Sequence, residues 1–258
     1  MDYQAIKLVI RNSVAVITLN RPEMMNALNT QMRAEITHAM KAAETEARVV
    51  VLTGAGKAFC SGQDLGDGGN AASMDLERTL RDEYVPMLKA IFDCRVPTIS
   101  AVNGPAAGAG ANLALAADVV IASEEAYFIQ AFTRIGLIPD AGGTYWLPRQ
   151  MGAAKAMGAA LFADKITAQQ ASDWGMIYET APAATFLEHV QGRAAHLAQG
   201  PTVAYRQLKE AIRGSFENSL DEQLALEAKL QGRCGKTRDF QEGVVAFLEK
   251  RKAVYEGR

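Results

Sequence analysis

Three short segments of the sequence contain the residues that could do chemistry. Residues 57–65 leave the end of a predicted strand and turn through Gly62. In residues 103–112 a strand enters a turn of small residues and continues as a helix. The free backbone N–H groups at such a helix start stabilise negative charge without any side chain. Residues 136–144 hold the carboxylate of Asp140 in a turn rich in proline and glycine.

The hydrophobic pattern predicts the elements that must position these segments. In chain order they are strands at Leu8–Ile10 and Val14–Leu19, a helix at Gln31–Ala47 capped by Asn29 or Thr30, a strand at Val49–Thr53, a helix at about Leu76–Phe92, a strand at Thr98–Val102, a helix at Ala109–Ala117 and a strand at Val119–Ala122. This alternation is typical of an α/β fold. The second half is mostly helical, with Pro201 and Gly214 as helix breaks. We predict an α/β core over residues 1–200 and a helical segment over residues 201–258.

Composition excludes several classes of function. The chain has 258 residues, of which 49% are hydrophobic, enough to bury a core. Its net charge of −2 leaves no basic excess, so we expect neither nucleic acid nor a membrane surface as a partner. The three cysteines form no CxxC pair, and the N-terminal residues lack the apolar core of a signal peptide. A cytoplasmic protein is expected.

Motifs for other common chemistries are missing from the sequence. Neither G-x-G-x-x-G nor G-x-x-x-x-G-K-[ST] occurs, so dinucleotide and P-loop binding lose their main support. There is no G-x-S-x-G nucleophile elbow. The three histidines, His38, His189 and His196, lie in polar helical stretches, where solvated surface residues are a better interpretation than metal ligands. No metal is predicted.

The order and spacing of several motifs resemble the crotonase (enoyl-CoA hydratase/isomerase) superfamily over the whole chain. The matching stretches are Leu19-Asn20-Arg21-Pro22, Asn26-Ala27-Leu28, Ala58-Phe59-Cys60-Ser61-Gly62-Gln63-Asp64-Leu65, Ala101-Val102-Asn103-Gly104, Ala107-Gly108-Ala109-Gly110, Pro139-Asp140-Ala141-Gly142-Gly143-Thr144, Phe240-Gln241-Glu242-Gly243 and Phe247-Leu248-Glu249-Lys250-Arg251. The resemblance implies a crotonase-type spiral of ββα units with a helical C-terminal trimerisation region, assembled as a homotrimer or a dimer of trimers. It also implies an acyl-CoA thioester substrate, with coenzyme A as part of that substrate and no separate cofactor.

The resemblance also assigns roles to individual residues. The thioester carbonyl would lie between the backbone N–H groups of Gln63 and Ala109, which stabilise the enolate formed when a proton leaves carbon. Backbone around Ala58, Cys60 and Asp64–Leu65 would contact the adenine and pantetheine of the same ligand. The Asp64 carboxylate is expected to fix the turn that carries the Gln63 N–H.

Two positions argue against hydration as the reaction. Hydratases of this family use two glutamates to activate water and to protonate Cα, and the matching residues here are Asn112 and Phe132. Phenylalanine does no acid–base work, and asparagine does not exchange a proton at neutral pH. Asn112 could order a water or a polar substrate atom, or it could be a buried amide bonded to its neighbours.

Asp140 stands where hydratases commonly carry glycine. A carboxylate beside an apolar acyl pocket becomes more basic, because burial disfavours its charged form. Near both Cα and Cγ it could move a proton from one to the other through a dienolate, without water. The alternative is that Asp140 only stabilises its turn, a common role for Asp after Pro.

These points predict an acyl-CoA isomerase with Asp140 as proton shuttle. The resemblance is greatest to the bacterial isomerases of phenylacetate degradation, which rearrange the ring 1,2-epoxide of phenylacetyl-CoA, and to relatives that shift Δ3 enoyl-CoAs to Δ2. Hydratase, thioester hydrolase and dehalogenase remain alternatives, since dehalogenases use an aspartate of this region as nucleophile. A non-catalytic binding module is a further alternative. The segment Gly66–Ser73 is a candidate lid near the acyl end.

Overall fold

Nine strands form two sheets in the computed structural model, which describes residues 2–66 and 75–258. In chain order the strands are β1 (Ile6–Arg11), β2 (Val14–Leu19), β3 (Val49–Gly54), β4 (Thr98–Val102), β5 (Ala106–Ala107), β6 (Val119–Ser123), β7 (Tyr127–Ile129), β8 (Ile166–Thr167) and β9 (Glu179–Ala181). The larger sheet has the order β1-β2-β3-β4-β6-β9, and the smaller has the order β5-β7-β8. The predicted lid segment lies, beyond Gly66, outside the described residues.

Eleven helices pack around these sheets within the described ranges. They are α1 (Thr30–Glu46), α2 (Leu76–Thr79), α3 (Val85–Phe92), α4 (Ala109–Leu115), α5 (Gly143–Met151), α6 (Ala153–Phe162), α7 (Ala168–Asp173), α8 (Phe186–Ala198), α9 (Thr202–Gly214), α10 (Leu220–Cys234) and α11 (Arg238–Leu248). The α1 cap is Asn29, whose side chain accepts a hydrogen bond from the Met32 N–H at 2.9 Å. A π-helical turn at Leu80–Tyr84 joins α2 to α3, so the helix predicted over Leu76–Phe92 is continuous but irregular.

The sheet buries side chains on both faces, as period-two alternation along a central strand requires. Val50 and Leu52 of β3 belong to the core that includes α1, whereas Val49 and Val51 pack in a second cluster with α8. β1 and β2 are antiparallel, and every other neighbouring pair of this sheet is parallel. The parallel strands and covering helices confirm the predicted α/β class.

The C-terminal helices are tied to the core by buried charges. Asp118, which precedes β6, pairs with Lys209 and Arg213 of α9, each at 2.7 Å. The predicted boundary at residue 200 falls between α8 and α9. Within the described part of the chain, every helix is too short or too polar to cross a membrane.

Candidate active site

The turn that carries Gln63 is held by a backbone bridge to Leu28. The Leu28 N–H donates to the Gly62 carbonyl at 2.8 Å, and the Asp64 N–H donates to the Leu28 carbonyl at 3.1 Å. This parallel bridge uses the carbonyl before Gln63 and the N–H after it. The N–H of Gln63 itself therefore points away from Leu28. Among the described residues, the Gln63 N–H has no acceptor.

The second backbone donor lies at the start of α4. Gly108 adopts φ 53° and ψ −128°, a conformation that needs glycine, and its N–H donates to the Ile129 carbonyl at 2.8 Å. Its carbonyl accepts from the Asn112 N–H at 3.2 Å. The Ala109 N–H therefore belongs to the open first turn of the helix, and it has no acceptor in residues 2–66 or 75–258.

The two turns touch each other because glycine stands at both contact points. A Cβ on Gly62 would lie 3.4 Å from the Ala109 nitrogen, and Gly62 has φ 97°. A Cβ on Gly110 would lie 2.3 Å from the carbonyl oxygen of Cys60. The segments that carry Gln63 and Ala109 therefore pack backbone against backbone, which allows both N–H groups to reach one oxygen.

Gln63, Ala109 and Asp140 line one cavity of about 310 Å³. The cavity thus brings together the three residues predicted to be catalytic. Its wall is otherwise mostly apolar, with Leu65, Leu80, Tyr84, Phe132, Ile135 and Leu137 among the described lining residues. Arg134 is the one basic side chain among them, and its guanidinium donates to the Ala163 carbonyl at 2.5 Å. Such a cavity fits an apolar acyl group with few polar anchors.

Asp140 has the environment of a proton-transfer group. Its carboxyl is half-buried, and the Oδ1 atom has no hydrogen-bond partner among the described residues. Burial raises the pKa of Asp140 from 3.8 to about 6, and its own backbone N–H lowers that pKa only in part. At neutral pH Asp140 is therefore an ionised base that can readily hold a proton during a reaction.

The carbonyl of Asp140 is held by a chain of buried amides. Asn112 Nδ2 donates to it at 2.8 Å, and Gln130 Nε2 donates to Asn112 Oδ1 at 2.9 Å. Asn112 does not line the cavity, so the structure places it as a buried amide bonded to its neighbours and not as a group facing substrate. Sequence reasoning missed Gln130, because a glutamine before a turn gives no local sign of its partner.

The side chain of Gln63 is also fixed, by two residues that sequence reasoning missed. Its Oε1 accepts from the Tyr84 hydroxyl at 2.6 Å and from Arg33 Nη1 at 2.9 Å. Arg33 is 2% exposed and pairs with Glu83 at 2.6 Å. Arg33 lies on an amphipathic helix, where a lone arginine usually faces solvent, and its partners are 30 and 50 residues away. No sequence signal identifies these contacts.

Asp64 and Arg21 fix the same turn from its other end. Asp64 is buried; its Oδ2 pairs with Arg21 Nη1 at 2.8 Å, and its Oδ1 accepts from the Gly66 N–H at 3.0 Å. This is the turn-fixing role that the sequence predicted for Asp64. Leu65 is exposed at the cavity.

Ala58 and Cys60 are buried, and neither is among the residues that line the cavity. The Ala58 carbonyl accepts from Asn26 Nδ2 at 2.8 Å, and the Cys60 carbonyl accepts from the Ala107 N–H at 2.9 Å. Burial raises the pKa of the Cys60 thiol to about 12, so it is no nucleophile. Their contact with coenzyme A stays a prediction.

Two of the three histidines have a hydrogen-bond partner among the described residues. His189 contacts Glu179 and His38 contacts the Tyr3 hydroxyl, at 2.8 and 2.9 Å. Over residues 2–66 and 75–258, no group of three or more His, Cys, Asp or Glu is arranged to hold a metal ion.

Comparisons with known proteins agree on the family. The enoyl-CoA hydratase/isomerase family model matches residues 9–258. A protein of Rhodobacter capsulatus named as a probable enoyl-CoA hydratase is 59% identical over 258 residues, 100% of both chains. The 1,2-epoxyphenylacetyl-CoA isomerase of Escherichia coli is 42% identical over 254 residues, 96% of this chain and 97% of the relative.

Solved structures agree on the fold. The crystal structure of an enoyl-CoA hydratase from Bacillus anthracis matches with a TM-score of 0.91 at 33% identity, over 99% of this chain and 100% of that one. This likeness covers the two sheets and the helical C-terminal region together. The protein thus has the crotonase fold, and it belongs to the enoyl-CoA hydratase/isomerase family.

Proposed function

We propose that the protein is an acyl-CoA isomerase in which Asp140 moves a proton between two carbons of a thioester. The observation that carries the proposal is the position of Asp140. Among the described residues that line the cavity it is the one carboxylate, and it shares that cavity with the unbonded N–H groups of Gln63 and Ala109. A base and an anion-stabilising pair are the two parts that an enolate mechanism needs.

For a 3-enoyl thioester the steps follow from these groups. The substrate carbonyl oxygen accepts from the N–H groups of Gln63 and Ala109, and ionised Asp140 removes a proton from Cα. The electrons of that C–H bond form a dienolate, whose negative oxygen the two N–H groups stabilise. Protonated Asp140 then returns the proton to Cγ, and the double bond lies between Cα and Cβ. The reaction is redox-neutral and consumes no water.

Hydration is the competing function, and the name of the Rhodobacter capsulatus relative favours it. The residues that match the two catalytic glutamates of hydratases argue against hydration. Phe132 lines the cavity with an apolar ring, and Asn112 uses its amide on Asp140 and Gln130. Neither residue activates a water, so we infer that hydration of 2-enoyl-CoA is at most a side reaction.

The substrate class is proposed from a relative and from the cavity wall. The Escherichia coli relative is named for 1,2-epoxyphenylacetyl-CoA, and in this chain Tyr84 and Phe132 supply aromatic surface. A ring-epoxide thioester is therefore the first substrate to test, with a 3-enoyl-CoA as the second. Coenzyme A enters as part of the substrate, with backbone around Ala58, Cys60 and Asp64–Leu65 as its proposed contacts.

Assembly as a homotrimer or a dimer of trimers through the C-terminal helices is also proposed. These helices expose large apolar side chains, among them Leu208, Ile212, Phe216, Leu220, Phe247 and Leu248. Exposed apolar surface of this kind is typical of a protein interface. Light scattering on the purified protein tests the assembly: a monomer mass at all concentrations contradicts it.

A cytoplasmic location is part of the proposal and is supported by three free thiols.

The test of the function compares wild type with Asp140→Asn in D₂O. Wild type is expected to isomerise 3-enoyl-CoA or ring-epoxide phenylacetyl-CoA, with solvent deuterium entering Cα or Cγ. Asp140→Asn should lose about 100-fold or more in kcat, because it removes the acid–base group. Asp164→Asn is the matched control, since Asp164 is exposed and outside the cavity. Equal activity of Asp140→Asn and wild type, or a wild type that only hydrates 2-enoyl-CoA, contradicts the proposal.

A further inference from the structure

We infer that Asn112 and Gln130 position Asp140 for proton transfer, with Asn112 bonded to the main chain of Asp140 and Gln130 bonded to the other end of the Asn112 amide. The inference rests on the proposed function, in which Asp140 is the acid–base group. Asn112 and Gln130 are positioning residues, because neither lines the substrate cavity. They act on Asp140 through its main chain.

The contacts form a directed chain from the interior to the turn. Gln130 Nε2 donates to Asn112 Oδ1 at 2.9 Å, and Asn112 Nδ2 donates to the Asp140 carbonyl at 2.8 Å. Both amide side chains are 0% exposed. Buried hydrogen bonds of this kind restrain their groups strongly, because water does not replace them when they break.

Donor and acceptor chemistry permits only one orientation of Asn112. A main-chain carbonyl accepts and never donates, so the end of Asn112 that faces Asp140 must be Nδ2. The Oδ1 end then needs a donor, which Gln130 Nε2 supplies. An ionised carboxylate in place of the Asn112 amide could only accept, and it would repel the Asp140 carbonyl. The turn therefore requires an amide at this position.

The turn itself needs such a restraint. Ala141 has φ 48° and Gly142 has φ 83°, two consecutive left-handed residues of which the first is not glycine. A non-glycine residue in this region is strained and stays there only when its surroundings hold it. Inside the turn, the Gly143 N–H donates to the Asp140 carbonyl at 2.8 Å. The Asn112 amide adds a second bond to the same oxygen from outside the turn.

The packing around the turn shows how closely the amide approaches. A Cβ on Gly143 would lie 2.4 Å from Asn112 Nδ2, and one on Gly142 would lie 2.3 Å from Trp146 Nε1. Both glycines therefore leave room for a neighbouring polar group to reach the backbone. The backbone of the turn fixes the direction of the Cα–Cβ bond of Asp140, and rotations about Cα–Cβ and Cβ–Cγ then place its carboxylate.

The test measures kcat and KM of Asn112→Leu, which keeps the branched shape of the side chain at a larger volume and removes its hydrogen bonds. We expect kcat to fall about 10- to 100-fold, since a loosened base rarely meets the Cα proton. KM should stay within about threefold of the wild-type value, because the N–H groups of Gln63 and Ala109 are unchanged. Gln130→Met should lower kcat less, by about 3- to 10-fold, since Asn112 then keeps its bond to Asp140.

Two further readouts separate positioning from loss of fold. Binding of butanoyl-CoA, a saturated thioester, should be unchanged in both variants. In Asn112→Leu the acid limb of the kcat profile should move to lower pH, because a released Asp140 gains solvent. The titratable and charged cavity groups near Asp140 among the described residues are Tyr84 and Arg134. Burial raises the pKa of Tyr84 well above its ordinary value, so Tyr84 does not titrate in this range.

Gln207→Met is the matched control, since Gln207 is a buried amide of α9 whose Oε1 accepts from Arg233 at 3.3 Å. It should keep wild-type kcat and the wild-type pH profile. An Asn112→Leu protein with kcat within twofold of wild type overturns the positioning role. So does one that loses kcat and butanoyl-CoA binding together. If Asn112→Leu does not fold, a Gln130→Met variant with unchanged kcat and pH profile overturns it. A wild type that isomerises neither substrate overturns the proposed function instead.

Discussion

At the scale of single residues, the proposed reaction depends on the charge that Asp140 carries. An aspartate in water is ionised at nearly every physiological pH and is a weak base. Burial raises the pKa of Asp140 to about 6, which brings its basicity toward that of a histidine. The apolar wall that we propose to receive the acyl group is thus also the cause of the raised pKa.

The pH dependence of kcat follows from this pKa. The base form of Asp140 is populated above its pKa and lost below it, so kcat should rise through about pH 6 and level off above pH 7. Stopped assays between pH 4.5 and 8.5 measure this limb. A limb centred near pH 4, the ordinary range of an exposed aspartate, would mean that Asp140 does not have the buried environment described above.

The same burial makes Asp140 costly for folding. Its pKa is raised in the folded state, so the folded protein binds more protons than the unfolded chain between about pH 4 and 6, and stability falls as pH rises through that window. Asp140→Asn removes the cost and should stabilise the fold by about 1–2 kcal/mol at pH 7.5, after allowance for partial solvation. Urea unfolding of wild type and Asp140→Asn at pH 7.5 and pH 4 measures this gain in stability. A gain of equal size at both pH values would contradict the linkage, because at pH 4 the folded carboxyl is protonated and the unfolded one is about half protonated, so little of the cost remains.

At the scale of elements, the site depends on two turns that pack without side chains between them. α4 starts within contact distance of the 60–63 turn because Gly110 has no Cβ to meet Cys60. The distance between the Gln63 and Ala109 donors is therefore set by backbone packing. A change in that distance would alter the stabilisation of the enolate without removing any donor.

Gly110→Ala tests this packing. Its Cβ would lie 2.3 Å from the Cys60 carbonyl oxygen and 2.7 Å from Cys60 Sγ, so the turns must separate. We expect a loss of about 1–3 kcal/mol in stability and at least about tenfold in kcat/KM. Gly192→Ala is the control: it lies on α8 with no atom within 4 Å of the new Cβ, and it should gain about 0.5–1 kcal/mol at unchanged activity. Wild-type kinetics in Gly110→Ala would show that the donor spacing is not set here.

Many of the helices and strands could be predicted from the sequence. The features that could not be predicted share one physical reason. β4 was predicted with its observed bounds, Thr98–Val102, because this short run with Ile and Val stands between Pro97 and Asn103-Gly104, which is a local signal. The small sheet was not predicted, since β5 and β8 have two residues each and form only where their partners lie. The contacts of Arg33 and Gln130 were missed for the same reason. Each depends on a partner that only the folded chain brings near.

At the scale of the whole molecule, the question is what keeps the C-terminal helices on the core. Asp118 accepts from the Thr98 N–H at 2.8 Å while it pairs with Lys209 and Arg213. The same two cations also donate to the backbone carbonyl of Phe92 at the end of α3 and to those of Cys94 and Val96 in the segment that follows. Asp118 and its two cations together therefore link α9 to β4 and to the end of α3.

Asp118→Ala should release this link. The two partner cations are largely buried, so removing the carboxylate leaves charge without compensation, at a cost of about 3–5 kcal/mol in the free energy of unfolding. Denaturant unfolding measures the loss, and salt should change it little because the site is shielded from solvent. Glu210→Gln is the control on the same helix, since Glu210 forms an exposed 3.8 Å pair with Arg233 and should change stability by less than about 1 kcal/mol. If the two variants lose equal amounts, the C-terminal helices are held by apolar packing and the Asp118 cluster is incidental.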